Sequence, residues 1–209
     1  FIHLAGRAHV LDDKADNPLD EFRKVNVNWT IELAKLVLSS GVKRFVYFSS
    51  LGVLGPESLG KPLTEESPYN PSYDYAISKL EAEEMLTELF SDSGKELVII
   101  RPPLVYSHDA PGNFGRLLSL AKSVVPFPFS GVDNRRSLIS LNNLVHFTEL
   151  CCKHPKAANQ AFVISDDEVV NTGEIIKHLR QGMNNNIPVL YFPKSILALI
   201  FGSFLFQLL

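Results

Sequence analysis

Three runs of nearly unbroken apolar sequence constrain this chain more than anything else in it: FIHLAG (1–6), KRFVYFSS (43–50) and ELVIIRPPLVY (96–106). Their β-branched and aromatic residues follow one another without the apolar–polar alternation of a half-solvated strand, so each run reads as a strand covered on both faces. The segments between them have helical spacing. DEFRKVNVNWTIELAKLVLSSGV (20–42) places apolar residues at Val25, Ile31, Leu33, Leu36 and Val37, with Gly41 where a C-capping glycine belongs. A longer helix is expected from about Ser72 to Ser91. Strand, helix, strand, helix, strand with buried strands predicts an α/β fold over residues 1–106, a doubly wound parallel sheet.

Past residue 107 the elements shorten. Helices are expected near 112–124, 141–153 and 172–182, and short strands near 137–140 and 160–164. Residues 107–209 read as a smaller α/β substrate-binding region with segments that return to the sheet. The last stretch, SILALIFGSFLFQLL (195–209), is uncharged. It falls short of the roughly 18 residues that mark a membrane span and reads as a helix of a globular domain. The chain opens on FIHLAG, without Met and already inside a strand, which reads as an N-terminal truncation.

Charge and cysteine content exclude several classes of function. A formal net charge of -3 over 209 residues offers no electrostatic footprint for nucleic acid and favours a small-molecule partner. The only cysteines, Cys151 and Cys152, are neighbours on an expected helix and face apart. They supply neither a disulfide framework nor a metal-ligand set, and no metal site is expected. Such usage fits a reduced, cytoplasmic compartment.

In open parallel sheets, ligands bind beyond the carboxyl ends of the strands. Those ends carry Gly6 and Arg7, then Ser49 and Ser50, then Pro102 to Tyr106. The helix after the second strand begins in YDYAISK (73–79), where Tyr75 and Lys79 are four apart and share a face, while Tyr73 pairs with Ile77. Alone, this pair reads as a packed tyrosine and a solvated lysine.

The blocks HLAGRAHV, NVNWT, FVYFSSLGVLG, YAISK, RPPLVY and NRRSLISLNNLV, in that order, resemble the extended short-chain dehydrogenase/reductases. More narrowly they are similar to the NAD-dependent epimerase/dehydratase group acting on nucleotide sugars, and the spacing of 25 residues from Ser50 to Tyr75 is that group's own. The resemblance implies a Rossmann-like fold, NAD as cofactor with NADP not excluded, and Ser50, Tyr75 and Lys79 as catalytic residues. Taking hydride from a secondary alcohol requires a base at the hydroxyl proton. A free tyrosine, with a pKa of about 10, is a poor base at neutral pH. Lys79, one turn along, is expected to favour the ionised phenol, and Ser50 to bond the same substrate oxygen.

By the same resemblance Leu4, Ala5, Gly6, Arg7, Asn26, Ser49, Pro102 and Val105, with Tyr75 and Lys79, belong to the cofactor side. Ser50, Tyr75, Asn113 and Arg136 belong to the nucleotide sugar, Arg136 serving its diphosphate. Arg135 and Arg136 could otherwise be a solvated pair after a turn. Several positions depart from the pattern. Trp29 replaces a usual Gly, which bears on local helix packing, Leu104 a usual Asn and Ser107 a usual Gly. The group's G-x-x-G-x-x-G loop has no counterpart, since GVLGPESLG (52–60) is misspaced and broken by Pro56. Roughly 60 residues of preceding sheet would be needed to supply it.

The reading that follows is an NAD-dependent nucleotide-sugar 4-epimerase. An NAD(P)-dependent 4-keto-sugar reductase serving surface polysaccharides is the alternative, and a non-catalytic dinucleotide sensor the third. Dehydratase relatives place acidic residues where Leu51 and Gly52 stand. Relatives dimerise through the YxxxK helix and its neighbour, so a homodimer is implied.

Overall fold

A computed structural model describes residues 1–8, 15–58, 60–110, 112–124, 126 and 134–191. The apolar run 195–209 lies outside the described residues. The chain divides into two units, Phe1–Pro103 with Asn142–Ile164, and Leu104–Leu141 with Ser165–Leu209.

In the first unit the predicted strands appear as β1 (Ile2–His3), β2 (Arg44–Phe48) and β3 (Glu96–Arg101). A fourth, Gln160–Val163 (β6 in chain order), completes a sheet ordered β1-β2-β3-β6 in which every pairing is parallel. Register assigns the faces. Ile99 pairs with Tyr47 and Ala161, and these residues share one face with Phe45 and Leu97. That face is covered by Val27, Ile31, Ala34, Val37, Ala82, Leu86 and Phe90 from the helices. Phe162 pairs with Ile100 and so points to the other face, where Phe147 of the helix Leu141–Lys153 (α5) meets it edge-on at 5.3 Å. Helices therefore cover both faces of a parallel sheet, the architecture that its continuous apolar strands require.

Three local expectations need correction. The helix predicted over 20–42 is α1 (Pro18–Arg23), a π-helical stretch (Lys24–Trp29) and α2 (Thr30–Leu38). Trp29, which replaces a usual Gly, ends the π-helical stretch and is 62% exposed. Gly41 is not a left-handed cap, as its φ is not positive. The carbonyls at this end are taken by Lys95 Nζ, which donates to Val37 O at 2.9 Å, to Val42 O at 2.8 Å and to Ser40 O. Finally, the run 96–106 is two strands in two sheets. Pro102 and Pro103 have no N–H to continue a ladder, and the chain leaves β3 there.

The second unit holds β4 (Leu104–Tyr106), α4 (Gly112–Lys122), β5 (Arg136–Ser140), β7 (Val169–Val170) and α6 (Thr172–Gly182). β5 pairs parallel with β4 and antiparallel with β7. Phe114, Leu117, Leu118 and Ala121 of α4 pack with Leu138, Ile175 and Ile176. The sequence NTGE starts α6 as a capping box: Asn171 Oδ1 accepts from Glu174 N at 2.9 Å, and Asn171 N donates to the Glu174 carboxylate at 2.8 Å. Among the described residues no helix is long and apolar enough to cross a membrane.

One buried ion pair ties helix to sheet in the first unit. Glu83 on α3 (Asp74–Phe90) and Arg101 at the end of β3 are each 2% exposed. Arg101 Nη2 donates to Glu83 Oε2 at 2.6 Å, and Arg101 Nε to Oε1 at 3.1 Å. Burying such a pair costs desolvation that its attraction only offsets, but stranding one partner is severe. Glu83→Gln is expected to destabilise the protein by about 3–5 kcal/mol, and Glu83→Met with Arg101→Met by much less. Urea titrations of both variants check this. Equal losses would sink it.

Candidate active site

β2 ends at Phe48, and Ser49 and Ser50 follow at its carboxyl end. Ser50 caps a single 3-10 turn, Leu51–Leu54, whose Val53 and Leu54 are buried, and its Oγ accepts from Gly52 N at 3.1 Å. The turn-satisfying role of a strand-end serine is thus real here. The Ser50 hydroxyl also lies beside the Tyr73 phenol and opposes the rise that burial gives it. Pro102 belongs to the same corner, since its carbonyl accepts from Leu51 N at 2.9 Å. Ser49 is buried, and its Oγ has no hydrogen-bond partner among the described residues.

Helix α3 starts at Asp74 with Tyr73 as an extended N-cap, which puts Tyr75 in the first turn and Lys79 and Glu83 on the turns that follow. The stripe Tyr75, Lys79, Glu83 faces the sheet because each is four residues from the last. The Tyr75 ring is held between Phe22, edge-on at 6.2 Å, and Tyr73, stacked at 6.3 Å. Lys79 is 4% exposed. Its ammonium lies 4.4 Å from the centre of the Tyr47 ring and 6.0 Å from that of Tyr75. Beneath it His3 stacks on Tyr47 at 5.9 Å and shares a 2.9 Å hydrogen bond with Thr30.

Asn26, fully buried in the π-helical stretch, joins two distant segments. Its Nδ2 donates to Ser78 Oγ at 3.0 Å and to Arg7 O at 3.1 Å, while its Oδ1 accepts from Arg7 N at 2.7 Å. Ser78 Oγ in turn donates to Tyr75 O at 2.8 Å. The loop after β1 is thereby fixed beside α3. Gly6 fits closely there: an added Cβ would stand 3.1 Å from Asn26 Oδ1, tighter than an ordinary contact. Leu4, Ala5 and Gly6 are exposed, and Arg7 lies over the Phe22 ring at 5.4 Å.

The electrostatics differ from the sequence-based expectation in one respect. Burial, followed by the neighbouring Tyr73, pushes the Tyr75 phenol up to about 12, so Lys79 does not lower it in this arrangement. Burial also pulls Lys79 down to about 8, opposed by the Glu83 charge, and lowers His3. Both members of the pair are driven toward their neutral forms.

In the second unit Arg136 opens β5 and Val105 lies in β4, both half-buried. Arg136 has no ion-pair partner among the described residues, and burial lowers its pKa. Asn113 lies in α4, and its side chain is outside the described residues. Tyr106 donates to Asp166 Oδ2 at 2.8 Å, and the same carboxylate oxygen accepts from Ser140 N at 3.1 Å. No group of three His, Cys, Asp or Glu suited to a metal occurs among the described residues.

Sequence reasoning overlooks Tyr73 and the Glu83–Arg101 pair. Glu83 was within reach, being four residues beyond Lys79 on the same face. Arg101, a charge ending an apolar strand, was a second signal.

Comparison with known proteins bears on this geometry. Residues 1–165 match the NAD dependent epimerase/dehydratase family. A UDP-glucose 4-epimerase of Vibrio cholerae is 42% identical over 207 residues, covering 97% of this chain and 63% of that protein. The N-acetyl-alpha-D-glucosaminyl-diphospho-ditrans,octacis-undecaprenol 4-epimerase of Escherichia coli O157:H7 is 28% identical, covering 92% of this chain and 58% of that one. The chain thus spans about three fifths of these relatives. Among solved structures, a Thermotoga maritima UDP-glucose 4-epimerase with UDP-glucose superposes with a TM-score of 0.76 at 20% identity, over 92% of this chain and 63% of that one. This last likeness is one of fold.

A buried ammonium weakens the folded state wherever it must remain charged. Below about pH 8 the folded protein carries that cost in full, on the order of 3 kcal/mol. The cost fades between pH 8 and the ordinary lysine range, where the unfolded chain binds the extra proton. Lys79→Met is therefore expected to be more stable than the parent at pH 7, with the gain shrinking as pH approaches 10.5. Urea titrations across that range check it; a gain independent of pH contradicts the buried charge.

Proposed function

Because this chain belongs to the NAD dependent epimerase/dehydratase family, we propose that it carries the catalytic face of a nucleotide-sugar 4-epimerase. The observation that supports this most is the burial of Lys79 beside the rings of Tyr47 and Tyr75 on one face of α3. Structural convenience does not account for a lysine at 4% exposure whose ammonium lies against a ring, with its supporting carboxylate one turn away. A buried cation without a direct partner is costly, and such groups concentrate at working sites.

The residues present suit NAD. Gly6 leaves the backbone open to close approach. The Lys79 ammonium donates no hydrogen bond to protein among the described residues and has the chemistry to take ribose hydroxyls, and Ser49 Oγ is a buried hydroxyl with no bond made. Leu4, Ala5, Arg7, Asn26, Pro102 and Val105 are assigned to the same side, Asn26 through the loop that it fixes. Bound NAD would supply a hydride acceptor that later gives the hydride back.

The chain's own residues handle the proton. Tyr75 exchanges the proton of the sugar C4 hydroxyl, and Ser50 bonds the same oxygen and orients it. Held near its neutral form, the phenol is set to return a proton. In the second unit Arg136, a half-buried guanidinium without a carboxylate partner among the described residues, has the charge and fork for a diphosphate, and Asn113 is assigned to the same ligand. The curated relatives named above are 4-epimerases of a UDP-sugar and of a diphospho-linked sugar, which supports a nucleotide-sugar or diphospho-sugar substrate. An acidic side chain at position 52 would displace the Tyr73 hydroxyl, which disfavours dehydration chemistry. A homodimer formed through α2 and α3, acting in the cytoplasm, completes the proposal.

With UDP-glucose and NAD supplied to the protein, Tyr75→Phe is expected to lower turnover by about 100- to 10,000-fold while NAD binding persists. Undiminished turnover in that variant would overturn the role of Tyr75, and dinucleotide binding without turnover in the parent would leave only a sensor. NADH absorbance decides the remaining choice: an epimerase recycles its cofactor, whereas consumption matching product would make the protein a 4-keto-sugar reductase.

A further inference from the structure

Tyr73 precedes α3 and is 45% exposed, yet its hydroxyl is turned inward. Three contacts fix it. The ring lies nearly parallel to that of Tyr75, at 17°. The hydroxyl fills the space that a side chain at position 52 would need, so that an added Cβ on Gly52 would overlap it and would also stand 3.0 Å from the ring carbon bearing it. The same hydroxyl lies beside Ser50, whose hydroxyl opposes the rise that burial gives the phenol. Ser50 Oγ therefore has the Gly52 N–H on one side and the Tyr73 phenol on another.

A hydroxyl has one proton and two acceptor sites. When Ser50 turns its proton toward a substrate oxygen, its lone pairs are left to be filled. The Gly52 N–H takes one. The Tyr73 O–H is the donor within reach of the other. A serine that accepts two hydrogen bonds is the stronger donor, because hydrogen bonds in a chain polarise one another. We propose that Tyr73 is a positioning residue of the active site, acting through Ser50: its hydroxyl donates to Ser50 Oγ while Ser50 donates to the reacting oxygen of the sugar. Gly52 is the counterpart of this arrangement, as its missing side chain admits the phenol. The ring packs on Tyr75 independently of the hydroxyl, so the two parts of the side chain are separable by substitution. This inference deepens the epimerase reading and rests on it.

A double-mutant cycle on the protein with UDP-glucose and NAD tests the coupling. Tyr73→Phe keeps the ring and removes only the hydroxyl. It is expected to lower kcat about 3- to 10-fold, with KM for UDP-glucose little changed. In the Ser50→Ala background the same substitution is expected to change kcat by less than about twofold, since nothing remains for the phenol to act on. Gly52→Ala, which crowds the phenol away from Ser50 while leaving both side chains intact, is expected to reproduce the loss of Tyr73→Phe. Equal effects of Tyr73→Phe with and without Ser50, or no effect at all, overturn the proposal. Tyr75→Phe run alongside separates the two levels. If it turns over normally, the epimerase reading falls and this role falls with it. If it is inactive while the cycle is additive, only the role of Tyr73 is lost.

Discussion

The Glu83–Arg101 pair is the constraint on which the first unit depends. A helix laid against a parallel sheet must bury one face, and on α3 that face carries Tyr75, Lys79 and Glu83 as well as Ala82 and Leu86. Two of these are charged groups that would not by themselves leave water. Arg101, supplied by β3, resolves Glu83 with a two-pronged bond and is itself closed off by Tyr69, whose hydroxyl accepts from Nη2 at 2.7 Å and whose ring lies 5.1 Å away. With Glu83 committed to Arg101, Lys79 is left without a direct carboxylate partner. Its charge is supported by one carboxylate a turn away and by the face of Tyr47.

That arrangement carries a cost. Arg101 Nη1 is buried with no partner among the described residues, as is the Tyr47 hydroxyl. Each orphan of this kind costs on the order of 1–3 kcal/mol. A core assembled for stability alone would place apolar residues here. The proteins that retain such groups use them to hold something in place, and what this network holds is an ammonium beside a phenol. Burial shifts both toward neutrality, the ammonium to about 8 and the phenol to about 12. Each protonation state is thus sensitive to any further charge introduced beside it.

Much of this was legible in the chain. Unbroken apolar strands separated by helical spacing required a covered parallel sheet, and the order and direction of β1, β2 and β3 follow from it. The helix over 141–153 and the helix over 172–182 have the predicted bounds, because their periodicity is backed by a local cap in one case and by a strand running straight into the helix in the other. The failures share a cause. A π-helical stretch, a lysine from position 95 sitting on the end of α2, and a phenol filling the space over Gly52 are all settled by partners far away in sequence. The i, i+4 rule found Lys79 from Tyr75 and stopped one step short of Glu83. It could not foresee that depth of burial, rather than the adjacent charge, would dominate the Tyr75 phenol.

The π-helical stretch shows how local strain is repaid. Widening a helix by one residue per turn gives up regular hydrogen bonding, and such stretches persist where they re-aim a side chain. Here the side chain is Asn26, and three hydrogen bonds to Arg7 and Ser78 are the return. A regular helix through Lys24–Trp29 would rotate Asn26 off the line joining the loop after β1 to α3. Gly6 would then lack the oxygen that lies against it, and Ser78, which donates to the Tyr75 carbonyl, would lose the amide that donates to it. Helix α3 is consequently pinned twice, by Asn26 through Ser78 near its start and by Arg101 through Glu83 two turns on. Lys79 lies between the two pins, so the one charged side chain on this face without a direct partner is also the one whose backbone has the least freedom to move.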